Sequence, residues 1–534
     1  MFVPIIMTLD PTCELSWMWV FHKMAWMGKG YKWPIVAQKE YFDGYKTFEV
    51  PPISKELFDV SLKTDGVLEN IIPIEIPEYI INNFIEQFPS QTDAYINSFV
   101  EEWTELVDYL YTVLNETVLH EQRAIEGLIL FKYYKCFEDL GKKLGVPTFY
   151  FELGPLRVPE YRNTFYWSKV GLMGNSGLDK RYAKFCDEFI ENPVMVLEAK
   201  EILALFLHVD KLSYLDMHVS KDYEFGILGG YSVPIPSTFF NGITLPEELM
   251  LVRKICPDNK IIIKTHPGDP MVAIPRFPNI EEDGVTSAQF IQKCRRIVCA
   301  GSNSTFEAAL YGVPAYDLGW SQFSFISNSL KELKDSIPDS VMLSFVAFGC
   351  LAPLELLKDV DYIRKLILLS SELDIYKMNL EYYLRNYGLT YEGLAKSENR
   401  LDMIIKARMQ NRYEYLTMLP KGNLTPVAEL HIELNNLKAR INSQIEKENE
   451  QGHAFNKLNA EYKDLIEIYK VLEVENKSLK ISNASMKTKL YDMERKCYEL
   501  EVLYHQILES TFYRFTKPLR QFMDFLKSGR VLNK

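Results

Sequence analysis

Apolar and polar residues alternate with two different periods along the first 420 residues, which contain no internal repeat. Apolar side chains that return every three or four residues predict amphipathic helices over 100–114 and 120–140. A short run rich in aromatic and β-branched residues, 146–151, then predicts a buried strand. Residues 321–420 are mainly helix-like, so we expect them to pack back over the preceding part of the chain.

The most regular alternation of the two patterns lies in residues 225–319. The predicted elements are strands over 225–233, 260–264, 296–300 and 313–318, and helices over 246–256, 287–294 and 306–311. Strands that alternate with helices predict a parallel, doubly wound sheet, which binds ligands at the carboxyl ends of its strands. The loops that follow Lys264 and Ala300 lie at such ends, so they are the expected place for a site.

Residues 427–508 follow one continuous heptad pattern. From Phe455 to Ile507, sixteen successive a and d positions keep the 3–4 spacing, and only Asn476 and Asn483 among them are polar. This seam predicts a coiled coil. Asn at two a positions, with mostly Leu and Met at d, favours a parallel dimer and leaves a trimer open. At about 1.5 Å per residue the rod would reach on the order of 120 Å.

Composition and charge separate the body of the chain from its tail. With 47% hydrophobic and 25% charged residues, the 534-residue chain has enough apolar surface for two or three domains. The net charge of −12 is uneven, because residues 1–426 carry −14, residues 427–510 carry −3 and residues 511–534 carry +5. An acidic body argues against a nucleic-acid binder. The tail mixes phenylalanine and leucine with arginine and lysine at helical spacing, which predicts binding to an anionic membrane surface through residues 511–534.

Cysteine usage and the terminus bear on location. Eight scattered cysteines without a CxxC pair indicate a reduced chain and no shared zinc site. The N-terminal segment lacks a basic n-region, and no apolar stretch reaches the roughly 20 residues that a bilayer-spanning helix needs. We therefore expect a cytoplasmic protein, peripheral at the inner face of the cytoplasmic membrane through its tail.

The two loops at the carboxyl ends of the predicted strands contain residues suited to phosphate chemistry. Lys264 and His266 stand in a Lys-Thr-His-Pro segment, where a histidine can donate to a phosphate or accept a proton near neutral pH. Four small polar residues precede the helix predicted over 306–311, namely Ser302, Asn303, Ser304 and Thr305. Free N–H groups at a helix start favour an anion, although an ordinary helix cap would use the same residues. Glu307 follows in the first turn, within reach of a ribose hydroxyl.

In this order and spacing, the loops resemble the nucleotide-sugar-binding domain of bacterial capsule-synthesis glycosyltransferases, a family that includes the β-Kdo transferases. The resemblance is carried by K-x-H-P from Lys264 and by GSNSTFEAALYGVPAYDLG from Gly301. Upstream, the segment from Phe151 to Arg157 is similar to the family's F-E-x-G-x-x-R, and Gly174-Asn175-Ser176 to its G-x-N-x-S. The similarity covers residues 120–320.

The resemblance implies a GT-B arrangement, with two facing Rossmann-like domains and the donor nucleotide in the C-terminal one. It implies that the phosphate of a CMP-linked sugar is held by Lys264, His266, Ser302, Asn303, Ser304 and Thr305. Glu307 would hold the ribose, and Glu152 and His266 would be the catalytic residues, with Glu152 as the acid/base or acceptor-binding group. The cleft would be lined by Arg157, Asn175 and Ser176. No metal and no cofactor besides the nucleotide-sugar donor is implied. From the residues alone, an ion pair between Glu152 and Arg157 is an equally valid interpretation of that segment.

One segment departs from the family pattern. Retaining β-Kdo transferases carry an Asp, the candidate nucleophile, after the first strand of the C-terminal domain. Residues 231–239 of this chain hold no carboxylate, and the nearest are Glu224 upstream and Glu247 downstream. The double-displacement mechanism, the anomeric outcome and the donor sugar are therefore not carried over by the resemblance.

These observations predict an α/β protein with a GT-B-type pair of Rossmann-like domains followed by a long parallel coiled coil. The expected segments are an N-terminal acceptor-side domain over 1–200, a nucleotide-sugar-binding domain over 201–345, a helical segment over 346–420, the coiled coil over 427–508 and the basic tail over 509–534.

The predicted activity is transfer of a sugar, Kdo by resemblance, from a CMP-sugar to a lipid-linked glycan of capsule or lipopolysaccharide O-antigen. Self-association through the coiled coil is expected, and the rod's length is a candidate limit on glycan length. Two alternatives stay open. One is a CDP-alditol phosphotransferase of the teichoic-acid type, which also uses a His-Pro loop and a Ser-rich loop. The other is a catalytically degenerate scaffold that recruits other glycosyltransferases through its coiled coil.

Overall fold

The computed structural model describes residues 1–9, 18–25, 27, 32–45, 68–216, 219–229, 243–265, 279–281 and 285–418, with side chains to residue 410. The chain divides into two compact units, Met1–Met409 and Gln410–Lys534. Both sheets described below belong to the first unit. The predicted coiled coil and the basic tail lie outside the described residues.

The larger sheet has seven strands in the order β11-β6-β5-β4-β1-β2-β3. Their bounds are β1 Phe2–Ile6, β2 Trp33–Gln38, β3 Ile71–Ile76, β4 Gly127–Leu130, β5 Thr148–Leu153, β6 Thr164–Ser168 and β11 Leu351–Pro353. The strands from β3 to β5 pair in parallel, whereas β6 and β11 add antiparallel. Every residue of β1 is buried, as expected for a central parallel strand that is covered on both faces.

The smaller sheet has four parallel strands in the order β10-β9-β7-β8. Their bounds are β7 Tyr223–Leu228, β8 Ile261–Lys264, β9 Cys294–Cys299 and β10 Ala315–Asp317. The parallel sheet predicted from the alternation over 225–319 is therefore confirmed. The loops after Lys264 and Ala300 leave the carboxyl ends of β8 and β9, on one edge of this sheet.

Sixteen α-helices connect and cover the strands of the described residues. In chain order they are α1 Met18–Ala25, α2 Lys39–Gly44, α3 Glu78–Ile85, α4 Gln91–Asn97, α5 Thr104–Glu121, α6 Lys135–Leu144, α7 Leu178–Glu191, α8 Ala199–Phe206, α9 Leu245–Arg253, α10 Ser287–Gln292, α11 Ser304–Leu310, α12 Ser340–Ser344, α13 Val360–Leu368, α14 Glu372–Arg385, α15 Tyr391–Ala395 and α16 Arg400–Met418. Within the part of the chain that the structure describes, no helix has both the length and the apolar character that a membrane span requires.

The helix predicted over 120–140 is wrong. The helix α5 ends at Glu121, and the chain then forms β4 before α6 begins at Lys135. The four residues of β4, Gly-Leu-Ile-Leu, are all buried between β1 and β5. A short apolar run of this kind fits either a buried helix or a buried strand, and only the neighbouring strands make it a strand.

Residues after 345 return to the larger sheet. One turn of π-helix, Phe345–Cys350, leads into β11, which pairs with β6 at the sheet edge. The helix α14 then packs against α7 and buries Tyr376 and Tyr383 in the same core cluster as β1, β4 and β5. The prediction of a mainly helical segment here did not include β11. Its three apolar residues are too few for a strand pattern to be visible without the partner strand.

Candidate active site

Glu152 lies near the carboxyl end of β5, where the antiparallel strand β6 begins its pairing. The register sets Glu152 opposite Tyr166, and the Tyr166 hydroxyl donates a hydrogen bond to the Glu152 carboxylate. Burial raises the pKa of the Glu152 carboxyl, and the hydrogen bond from Tyr166 and the charges of Arg157 and Lys132 oppose that rise. A half-buried carboxyl of this kind is suited to acid/base work near neutral pH.

Arg157 interacts electrostatically with two carboxylates, Glu152 on β5 and Glu307 on α11. Burial lowers the pKa of its guanidinium, while the negative charges of Glu152 and Glu307 raise it. Among the described residues, the half-buried guanidinium makes no hydrogen bond to either carboxylate. The ion pair that the sequence allowed for Glu152 and Arg157 is therefore a charge interaction without direct contact. Such a guanidinium retains its five N–H donors for an anion.

The loop between β9 and α11 is shaped by Asp317 at the end of β10. The Asp317 carboxylate accepts hydrogen bonds from the Gly301 N–H at 2.8 Å and the Gly319 N–H at 3.0 Å. It also accepts from the hydroxyls of Ser321 and Ser324. Gly301 has a φ of +65°, which favours glycine, and a Cβ on Gly319 would lie 2.3 Å from the Gly301 nitrogen. The close approach of the two backbones requires glycine at 319, and the positive φ favours glycine at 301.

The small polar residues of this loop are engaged in different ways. Thr305 is buried, and its hydroxyl donates to the Ser302 carbonyl at 3.1 Å, so it stabilises the turn. The Ser302 hydroxyl accepts from the Ser304 N–H at 3.2 Å. The Asn303 side-chain amide donates to the Leu153 carbonyl at 3.1 Å. Because Leu153 directly follows Glu152 on β5, this bond brings the loop of the smaller sheet to the catalytic candidate on the larger one.

Glu307 is buried one turn into α11, with 2% of its surface exposed. Its carboxylate accepts a hydrogen bond from the Tyr161 hydroxyl at 2.8 Å, and Tyr161 also bonds Tyr311 at 3.0 Å. Burial raises the pKa of Glu307 to about 7, although its hydrogen bond with Ser287 lowers that pKa. The structure thus places this carboxylate against a tyrosine of the larger sheet's domain, and not on an exposed surface that a ribose would reach.

The remaining predicted residues either have other contacts or lie outside the described part of the chain. Lys264 ends β8, and its carbonyl accepts from the Gly229 N–H at 2.9 Å. Asn175 is exposed, whereas Ser176 is buried and its carbonyl accepts from the Ser168 hydroxyl at 2.7 Å. His266 and residues 231–239 are not among the described residues. Glu152, Arg157, Asn303 and Glu307 are therefore the predicted residues that the fold brings together.

Three glutamates flank the segment that departs from the family pattern. Glu224 is ion-paired with Arg296. Glu247 is exposed and accepts from the Thr244 N–H at 2.7 Å, as a helix cap. Glu248, which the sequence did not single out, is 1% exposed, and one of its oxygens has no hydrogen-bond partner within the described part of the chain. Burial raises the pKa of Glu248 to about 8, and the charge of Asp317 adds to the rise.

We expect Glu248→Gln to stabilise the protein more at pH 8 than at pH 5. The folded wild type keeps a proton on Glu248 up to about pH 8, whereas the unfolded chain loses it near 4.5, so stability falls as the pH rises between these values. Gln does not titrate, and its advantage over Glu should grow by about 3 kcal/mol between pH 5 and pH 8. Urea denaturation at both pH values measures this difference.

The neighbouring substitution Glu247→Gln is the matched control. Its carboxylate is exposed and its pKa is lowered by the cap at Thr244, so it is ionised in both states across this range. The free energy of unfolding of the Glu247 variant should therefore keep a constant difference from the wild type. A constant difference for the Glu248 variant as well would show that its carboxyl does not titrate differently on folding.

No group of three His, Cys, Asp or Glu side chains is placed to hold a metal ion within the described residues. Among features that the sequence analysis missed, Tyr166 pairs with Glu152 only through the strand register. Asp317 had a visible signal, since it is a carboxylate at the end of a predicted strand followed by glycine.

Comparison with known families gives this geometry a context. Residues 13–177 match the model of the glycosyltransferase 99 family N-terminal domain. The resemblance to a glycosyltransferase family is confirmed. The matched region includes β5, Glu152, Arg157 and the segment with Asn175 and Ser176, but it ends before the smaller sheet begins. The match to a glycosyltransferase family therefore comes from the part of the chain that holds the candidate acid/base. No curated protein matches the sequence.

Solved structures with partial similarity include two enzymes of Thermosulfurimonas dismutans. KpsC, beta Kdo 2,7 transferase, is 13% identical over 59% of this chain and 89% of its own, with a TM-score of 0.30. The beta Kdo 2,4 transferase of KpsC is 11% identical over 42% of this chain and 79% of its own, with a TM-score of 0.28. The S. aureus MnaA–UDP structure is 13% identical over 72% of this chain and 96% of its own, with a TM-score of 0.28.

Proposed function

We propose that this glycosyltransferase moves a sugar from a CMP-linked donor to a lipid-linked glycan of bacterial capsule or O-antigen, with Kdo as the first candidate sugar. The observation that carries the proposal is the position of Glu152. Its half-buried carboxyl, with a raised pKa, lies one residue from Leu153, whose carbonyl is bonded by Asn303 from the other sheet. The carboxyl group of Glu152 therefore lies beside a loop suited to phosphate. An enzyme that transfers a sugar from a nucleotide-sugar donor requires these two groups close together.

In this mechanism Glu152 and Arg157 have separate tasks. The Glu152 carboxylate accepts the proton of the acceptor hydroxyl, whose oxygen bonds to the anomeric carbon. The bond from that carbon to the phosphate oxygen breaks, and the nucleotide leaves with the electron pair. The Arg157 guanidinium, which has no hydrogen-bonded partner among the described residues, stabilises the developing phosphate charge.

The donor loop is proposed to combine residues from two strand ends. Lys264 ends β8, and Ser302 and Ser304 follow β9, so these three residues stand at the carboxyl edge of the smaller sheet. His266, two residues after Lys264 in the sequence, is proposed to join them. Their N–H and O–H donors and the lysine charge suit a phosphate. Glu307 is proposed to hold Tyr161 and the loop in place, since its carboxylate is buried against that hydroxyl.

The rest of the chain is proposed to place the enzyme at its acceptor. The +5 charge of residues 511–534 would hold the protein at the anionic inner face of the cytoplasmic membrane, where lipid-linked glycans are built. The heptads of 427–508 would join chains into a dimer or trimer, with other glycosyltransferases as candidate partners.

Release of CMP from CMP-Kdo by the purified full-length protein tests this proposal. We expect turnover with a lipid-linked acceptor, and we expect His266→Ala to abolish it while Glu152→Gln leaves CMP binding intact. Isothermal titration with CMP checks binding separately. Phosphate-containing product from CDP-glycerol would instead favour the alditol phosphotransferase. CMP binding without turnover of CMP-Kdo or CMP-N-acetylneuraminic acid would favour the scaffold.

A further inference from the structure

Trp320 is an exposed aromatic residue in the turn that follows β10. Its side chain is 55% exposed, although the residues that follow it, Ser321, Gln322 and Phe323, are buried. The turn begins at Asp317, which also shapes the loop after β9. Trp320 therefore stands at the carboxyl edge of the smaller sheet, beside the loop proposed to hold the donor phosphate.

A glycine from the larger sheet's domain supports the indole ring from beneath. The Gly174 N–H donates to the Trp320 carbonyl at 3.0 Å. A Cβ added to Gly174 would lie 2.3 Å from two atoms of the ring, Cδ1 and Nε1. The ring therefore rests directly on the Gly174 α-carbon, and any other residue at position 174 would displace it. One side of the indole is fixed in this way while more than half of the side chain stays accessible.

Two amide oxygens in the same pair of loops have no hydrogen-bond partner among the residues that the structure describes. One is Oδ1 of Asn303, whose amide group donates to Leu153, and the other is Oε1 of Gln322, which is 3% exposed. Buried amide oxygens are normally paired. A sugar ring carries hydroxyl donors and an apolar C–H face, and the C–H face is the part that an exposed indole can bind.

We propose that Trp320 binds the transferred sugar of the nucleotide-sugar donor, by stacking the apolar face of a pyranose ring on the indole. The inference rests on the proposed function and adds a residue that recognises the sugar. The turn lies next to the phosphate loop, because Gly319 and Gly301 are in backbone contact, so a group held on Trp320 is close to the phosphate. The contact with Gly174 places the same ring beside the domain that holds Glu152. In a donor whose phosphate is bound by the loop after β9, the sugar would lie between that loop and Glu152, which is where Trp320 stands.

Isothermal titration of the full-length protein with CMP and CMP-Kdo, and with UDP and UDP-N-acetylglucosamine, tests the proposal. Trp320→Ala should weaken binding of the preferred nucleotide-sugar about 10-fold and leave its free nucleotide unchanged. Trp320→Phe should retain most of the affinity, since a ring remains. The control is Tyr79→Ala, which removes another exposed aromatic ring. Tyr79 is 59% exposed and follows β3, an edge strand of the larger sheet.

Gly174→Ala supplies a second variant that keeps the tryptophan. Its Cβ would push the ring away, so we expect the same loss as for Trp320→Ala and no further loss in the double variant. An equal loss of affinity for the free nucleotide would show that the ring binds the base. Unchanged affinity for the nucleotide-sugar would show that the ring binds neither the base nor the sugar. Either result overturns the proposal. If the wild type binds none of the four ligands, the proposed function fails, and the inference with it.

Discussion

Glu152→Gln should reduce glycosyl transfer by a factor of about 10²–10⁴, the range that general acid/base groups contribute. Gln keeps the shape of the side chain and can still accept the hydrogen bond from Tyr166, but it cannot accept the acceptor's proton. The loss should appear in kcat, because the carboxylate acts in the transition state, while the donor affinity stays near that of the wild type. Steady-state release of nucleotide from the donor that the wild type uses measures both.

The pH profile separates a catalytic role of Glu152 from a structural one. The hydrogen bond from Tyr166 stabilises the ionised carboxylate, so Tyr166→Phe should raise the pKa of Glu152 further. The base is then protonated over a wider range, and the acidic limb of kcat against pH should move to higher pH. An acidic limb that stays in place would contradict the assignment of this limb to Glu152.

The chain offers a matched control for Glu152 in a second glutamate–tyrosine pair. Glu138, on α6, accepts a hydrogen bond from the Tyr133 hydroxyl at 2.7 Å, as Glu152 does from Tyr166. Glu138→Gln should leave kcat within about two-fold of the wild type, because Glu138 is half-buried outside the candidate site and its charge pairs with Lys142 on the same helix. A comparable loss in both variants would mean that turnover responds to general damage to the domain.

The largest expected loss of stability is that of Arg181→Met, at about 3–5 kcal/mol. Arg181 and Glu372 are 14% and 10% exposed and share three hydrogen bonds of 2.8 to 3.0 Å. The same guanidinium donates to the carbonyls of Trp167 and Gly349 and lies 4.0 Å from the Trp167 ring centroid. Its removal leaves a buried carboxylate and two carbonyls unpaired, at the point where α14 returns to the larger sheet. Urea denaturation measures the loss.

A double substitution shows which part of that loss comes from the unpaired charge. Arg181→Met with Glu372→Met removes both charges, and its loss should be smaller than that of Arg181→Met alone. The control is Arg385→Met, which breaks an exposed pair with Glu381 and should cost less than about 1 kcal/mol. Equal losses for Arg181→Met and the double variant would show that the ion pair is not what anchors this segment.

The strands of the smaller sheet could be predicted because short apolar runs alternate with helix-like segments over 225–319. The same reasoning failed at β4, whose four buried residues carry no alternation, and gave no strand at Phe2–Ile6, which lies at the centre of the larger sheet. A strand that is buried on both faces has no polar side, so its pattern contains no period. The antiparallel strand β11 was missed because its three residues are defined by their pairing with β6.

In the candidate site too, some features follow from neighbouring residues and others from contacts between distant segments. The family resemblance singled out Glu152 and Arg157. Local sequence patterns placed the Ser302–Thr305 loop between a strand end and a helix start, because both are properties of neighbouring residues. The pairing of Glu152 with Tyr166, the burial of Glu307 against Tyr161 and the support of Trp320 by Gly174 join residues that are 14, 146 and 146 positions apart. Burial and a partner's charge change what a side chain can do, and both are created only when distant segments pack together. The sequence therefore names the groups that can react, and the packing of the two sheets assigns each of them its protonation state and its neighbour.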